Sequence, residues 1–113
     1  PFTPHLMPMT RGMLSTIYLH GESPEQWHAT IAQQYEHEQF VHLLEQGELP
    51  STASVVGSNR CDIGIVVRDQ HSAVVVSCID NLLKGAAGQA MQSANIMLGL
   101  HEQSGLSAVG VWP

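Results

Sequence analysis

The apolar positions fall into short clusters whose spacing changes along the chain. Met13–His20 (MLSTIYLH) gathers β-branched and aromatic residues and reads as a strand. Trp27, Ile31 and Tyr35 then recur every four residues, which puts them on one face of a helix running to about Glu38. Ser23-Pro24-Glu25-Gln26 supplies its start, with Ser as N-cap, Pro at the first helical position and Gln closing a capping box. Phe40–Leu44 reads as a short strand, and 46–59, with Gly47, Pro50, Gly57 and several hydroxyl residues, as mostly loop. Asp62–Arg68 and Ser72–Ile79 are β-rich runs separated by Asp69-Gln70-His71, the pattern of a hairpin. The continuous Val74-Val75-Val76 implies a strand buried on both faces. Asp80 then caps a long helix from Asn81 to about Leu98, with Gly99 as its C-cap, and Leu100–Pro113 is irregular.

This order of strand, helix, three strands and helix predicts an α+β fold: a mostly antiparallel or mixed sheet with packed helices, ending in a long C-terminal helix. A chain of 113 residues is enough for one modest core. Its apolar runs are too short to span a membrane, and its N-terminus, Pro1-Phe2-Thr3-Pro4-His5, has neither the basic nor the apolar part of a secretory signal. The absence of an initiator Met implies a start inside a longer reading frame. A net charge of −6 disfavours nucleic acid and anionic membranes as partners. Cys61 and Cys78 form no CxxC pair and lie in β-rich apolar sequence, as free buried thiols of a cytoplasmic protein do.

Three segments invite a chemical reading. In Asp80–Ala90 (DNLLKGAAGQA), Gly85 and Gly88 together weaken a helix by roughly 2 kcal/mol relative to alanines, so something must approach the backbone closely. Tight helix–sheet packing satisfies that demand, and so does a ligand at the strand-to-helix junction of Asp80 and Asn81. In Pro4–Gly12 (PHLMPMTRG), prolines stiffen a loop in which His5 offers proton transfer and Arg11 an anion-binding fork, unless both are merely solvated. In Val56–Gly64, a Cys beside an Asp suggests a nucleophile, but Cys61 opens an apolar strand and nothing around it activates a thiol; Ser58 and Asn59 read as a turn instead. Metal is not expected: His37-Glu38 and His42 miss the HExxH spacing by one residue, and the other histidines show no ligand spacing.

Taken together, FTPHL-x-PMTRG at 2–12, GSN-x-CDIG at 57–64 and DNLLKGAAGQA-x-Q at 80–92 resemble, in order and spacing, the C-terminal region of N-acetyl-gamma-glutamyl-phosphate reductases. The ending, Gly105-Leu106 and Val109-Gly110-Val111-Trp112-Pro113, is similar to that family's C-terminus. The resemblance implies a Rossmann domain before this chain, 1–79 as the second half of a substrate and dimerisation domain, and 80–113 as a helix and tail that return to the Rossmann domain. It implies a soluble homo-oligomer that uses NADP and an acyl-phosphate substrate in arginine biosynthesis. The family's nucleophile lies in a Gly-Cys-Tyr-like segment and its histidine in a His-Arg-His-x-Pro-Glu-like segment; neither occurs here, so no catalytic residue is expected in this chain. The resemblance makes His5, Thr10 and Arg11 candidates for substrate binding and places Asn81, Lys84 and Gly85 near the nicotinamide. It leaves open a related acyl-phosphate reductase of lysine synthesis, and the residues alone also fit a stand-alone non-catalytic ligand-binding or oligomerisation module.

Overall fold

The computed structural model describes residues 2–110. Elements follow in the order β1 (Met13–His20), α1 (Trp27–Tyr35), β2 (Val41–Leu43), β3 (Cys61–Asp69), β4 (Ser72–Ile79) and α2 (Gly88–Met97). The strands make one mixed sheet in the order β1-β4-β3-β2. β4 is antiparallel to both β1 and β3, while β2 joins β3 in parallel. The expected mixed sheet with packed helices is what forms.

Alternation along the strands sorts the side chains onto two faces. Leu19, Ile63, Ile65, Ala73 and Val75 share one face, where Trp27 and Ile31 of α1 pack on them; Tyr35, the third residue of the stripe read from the sequence, stays exposed at the end of the helix. The opposite face carries Gly64, over which residues 48–50 cross so closely that a Cβ there would overlap the Glu48 carbonyl. Val75 and Val76 are both buried, so β4 is covered on either side at its middle, although Val74 is only half-buried. At the hairpin the Asp69 carboxylate accepts the His71 amide (2.8 Å) and the Ser72 hydroxyl (2.6 Å), and an irregularity between Val67 and Asp69 leaves Arg68 out of the ladder.

The start of the first helix departs from expectation. Ser23 has φ 54 and makes no side-chain cap; Pro24–Gln26 forms a 3-10 turn before α1. A proline disfavours the right-handed helical region for the residue before it. Pro24 is itself fully buried, and Ser23 settles in the left-handed region, where its carbonyl rather than its hydroxyl accepts the Gln26 amide at 3.0 Å. The helix also stops at Tyr35 rather than Glu38, and the chain turns to bury Phe40.

The C-terminal helix is not uniformly α-helical either. Leu83–Ala87 is a π-helical turn, in which the Gly85 amide reaches the Asp80 carbonyl (2.9 Å) and the Ala87 amide that of Leu82 (3.1 Å). Such turns widen the helix by one residue. α2 then runs from Gly88 to Met97 and closes in a Schellman motif: Gly99, at φ 69, donates to Ile96, and Leu100 donates to Asn95. The segment after it is fastened back by side chains. Asn95 Nδ2 donates to the carbonyls of Glu102 and Ser104, and Asn59 donates through both its amide and Nδ2 to the Ser107 carbonyl. Val111-Trp112-Pro113, part of the family-like ending, lies outside the described residues.

Candidate functional site

All three segments singled out above meet at Asp80. β4 ends at Ile79, and the next carboxylate is fully buried. Its Oδ1 accepts the amides of Leu82 (2.8 Å) and Leu83 (3.1 Å), the capping role read from the sequence. Its Oδ2 accepts the Gly57 amide (2.8 Å) and Arg11 Nη1 (3.0 Å). Burial is the largest single influence and would raise this carboxyl's pKa. The amides of Gly57, Leu82 and Leu83 and the Arg11 guanidinium together outweigh it, so the group lies below its ordinary value and is ionised at neutral pH. Beside it, Asn81 Oδ1 accepts the Gly12 amide at 2.6 Å. The first loop, the turn at Gly57 and the start of the C-terminal helix therefore share one junction.

The other candidates are placed unevenly around it. Thr10 is exposed, and His5 Nδ1 contacts the carbonyl of Thr3 at 3.1 Å within its own loop. Lys84 donates to Gln92 Oε1 (2.7 Å), which passes the chain on to Glu102 (3.1 Å), and its ammonium lies 5.3 Å from the Phe40 ring centroid. Its charge is thus engaged within the chain. Gly85 is exposed, though a Cβ there would come within 3.2 Å of Ile79 Cδ1. Gly88 is buried under the Asn59 side chain, so close approach at that glycine is helix packing within this chain.

Sequence reasoning missed a second buried carboxylate. Asp62 is 1% exposed and takes Arg60 through Nε (2.9 Å) and Nη2 (2.6 Å to the other oxygen), with the Ser54 hydroxyl at 3.2 Å. Of the four cations in a chain with ten acidic residues, two stand against the two buried aspartates. The scarcity of cations was the available signal; which carboxylates they serve depends on the fold. Asp62 also lines a hollow of about 470 Å³ with Leu44, Glu48, Pro50, Ser51 and its partner Arg60.

Neither thiol is activated. Burial pushes Cys61 up, against a smaller opposing pull from Lys84, and burial pushes Cys78 up to about 11, aided by Asp62 and Cys61. Among the described residues no three His, Cys, Asp or Glu side chains gather as a metal site requires.

A family described as semialdehyde dehydrogenase, dimerisation domain, matches residues 1–81. The chain belongs to that family. Curated relatives over 99% of this chain are N-acetyl-gamma-glutamyl-phosphate reductases: that of Alkaliphilus metalliredigens is 52% identical and that of Staphylococcus saprophyticus 49%, each covered over 34% of its length. The reductase of Rhodobacter capsulatus is 50% identical and covered over 33%. The dimerisation-domain chain therefore spans about a third of the length of these relatives and corresponds to their C-terminal third. A crystal structure of aspartate semialdehyde dehydrogenase II from Vibrio cholerae, complexed with ASA, superposes with a TM-score of 0.63 over 81% of this chain and 28% of that one. At 18% identity this likeness establishes the shared fold.

Proposed function

We propose that this chain is the C-terminal part of an NADPH-dependent reductase that converts N-acetyl-glutamyl phosphate to N-acetyl-glutamate semialdehyde and phosphate in arginine biosynthesis. The observation that carries this is identity near 50% with reductases of that name along 99% of the chain. In this reading the full-length protein works in the cytoplasm as a homo-oligomer joined through the sheet domain. A thiolate from the segment before Pro1 displaces phosphate from the acyl phosphate to give a thioester. NADPH, when bound, supplies the hydride that releases the semialdehyde and restores the thiolate.

The contribution of this chain is binding. Arg11 offers guanidinium donors to the substrate's carboxylate or phosphate, with His5 and Thr10 in the same loop as further polar contacts. Asn81 and Gly85 lie exposed at the helix start and suit close approach by the nicotinamide end of a cofactor. Lys84 supports that turn from inside, through Gln92 and Phe40.

The test is an assay of the full-length protein in the reverse direction, following phosphate-dependent reduction of NADP with N-acetyl-glutamate semialdehyde. Activity there, with aspartate semialdehyde turned over poorly, supports the reading. Preference for aspartate semialdehyde or for a carrier-linked substrate of lysine synthesis overturns the assignment, and so does inactivity with every one of these substrates.

A further inference from the structure

Two adjacent residues after β4 hold two adjacent residues of the first loop, 69 positions away in each case: Asp80 binds Arg11, and Asn81 binds Gly12. The two ends of this clasp differ in exposure. Asp80 is fully enclosed, with three amides and one guanidinium nitrogen around its two oxygens. Arg11 keeps 34% of its side chain exposed and gives Asp80 one terminal nitrogen. A guanidinium has five donors in a rigid fork, so a single tether limits where the group can sit and leaves its other donors unused by Asp80. Arg60 is the contrast within the same chain: it gives both Nε and Nη2 to Asp62. The loop itself is held from a second side. Gly12, at φ 113, lies so near Thr52 that a Cβ would meet that side chain at 3.0 Å.

We propose that Asp80 is a positioning residue for the anion-binding Arg11, with Asn81 as the second tether that keeps the loop in register. This rests on the reading of the first loop as substrate-facing. Orientation is what the tether supplies. An untethered arginine in a loop samples many rotamers, and each must be frozen when substrate binds. Asp80 cannot serve the substrate directly, because it is buried, anionic and already filled with donors. Its charge also weakens Arg11 as a general anion trap, which leaves geometry rather than net charge to select a ligand that can reach the remaining donors.

The experiment uses the full-length protein and compares Arg11→Ala, Asp80→Asn, Asn81→Ala and the double variant Arg11→Ala/Asp80→Asn, measuring KM and kcat for the acyl phosphate and for NADPH. Asp80→Asn is expected to raise the acyl-phosphate KM about tenfold or more while the NADPH KM stays within about twofold, the split expected when substrate orientation alone is lost. Asn81→Ala moves the acyl-phosphate KM in the same direction by a smaller factor; because Asn81 also faces the proposed cofactor position, the NADPH KM is read in Asp80→Asn and not in this variant. The double variant is no worse than Arg11→Ala alone, because the two residues act as one unit. Independent, multiplying losses overturn the proposal, as does an NADPH KM that rises while the acyl-phosphate KM stays put. If Asp80→Asn does not fold, Asn81→Ala decides alone, and an unchanged acyl-phosphate KM in it overturns the proposal. An inert Arg11→Ala sinks the substrate-loop reading itself; a damaging Arg11→Ala beside harmless Asp80→Asn and Asn81→Ala sinks only the coupling.

Discussion

The side-chain oxygen of Asn59 rests on the backbone of Gly88, in the space a Cβ would occupy. That oxygen is buried and accepts no hydrogen bond among the described residues, while the Asn59 amide and Nδ2 are both bonded to the Ser107 carbonyl. Asn59 is therefore pinned and has little room to retreat.

Gly88→Ala sets two effects against each other. Alanine favours the helix by up to about 1 kcal/mol. Overpacking a fixed neighbour costs about 1–3 kcal/mol. The overlap wins here, and denaturant unfolding should show a net loss of stability. Gly85→Ala is the control, because its Cβ would meet the flexible end of Ile79 at 3.2 Å and the Asp80 carbonyl at an ordinary contact distance of 3.5 Å. It should be neutral or slightly stabilising. A Gly88→Ala variant as stable as Gly85→Ala would contradict this account.

Asp80 gives the fold a defined acid limit. Its folded pKa lies below the unfolded one, so its stabilisation is fully present above about pH 3.9, the ordinary aspartate value, and is lost as pH falls through the folded value. Asp69 is also lowered, by the Ser72 hydroxyl and the His71 amide, and acts in the same window. The informative quantity is thus the stability difference between the native chain and Asp80→Asn. It should be large at pH 7 and shrink below about pH 4; a difference independent of pH would show that the carboxylate charge is immaterial.

The isolated chain should self-associate. Leu14 and Tyr18 stand exposed on the sheet face opposite α1, with Val66 and Val74 half-buried beside them. β1 is an end strand of the sheet, with eight residues and no charged side chain. Apolar faces and long uncharged strand edges of this kind favour association. Light scattering on the eluted chain should give a mass above the 12.3 kDa monomer, reduced toward it by Tyr18→Lys. A monodisperse monomer would show that this surface is tolerated in water.

Both cysteines should behave as inert thiols. With Cys78 raised to about 11 and Cys61 raised as well, iodoacetamide at pH 7.5 should label either one more slowly than free glutathione. Cys61→Ser in the full-length protein should keep turnover within about a few-fold, since most substitutions away from the chemistry act through stability. A collapse of turnover at unchanged stability would make Cys61 a participant in the reaction.

The sequence by itself determined the elements whose signal is local. The strand content of Met13–His20, the helical stripe of Trp27, Ile31 and Tyr35, the Asp69 hairpin and the Gly99 cap all depend on neighbours within a few residues, and all appear in the structure except that Tyr35 stays exposed. It also marked Asp80 as a helix cap and Gly88 as a place of close approach, because each carries a local cost or capacity. Only the tertiary structure decided what meets them. Arg11 and Asp80 lie 69 residues apart, and Asn59 reaches Gly88 from another loop, so no periodicity could have paired them. The same holds where local preference was overruled. Ser23 lost its cap beside buried Pro24, and the helix widened into a π turn at Leu83–Ala87. Local rules describe what a segment favours alone; burial and long-range hydrogen bonds select among those preferences once the segments pack.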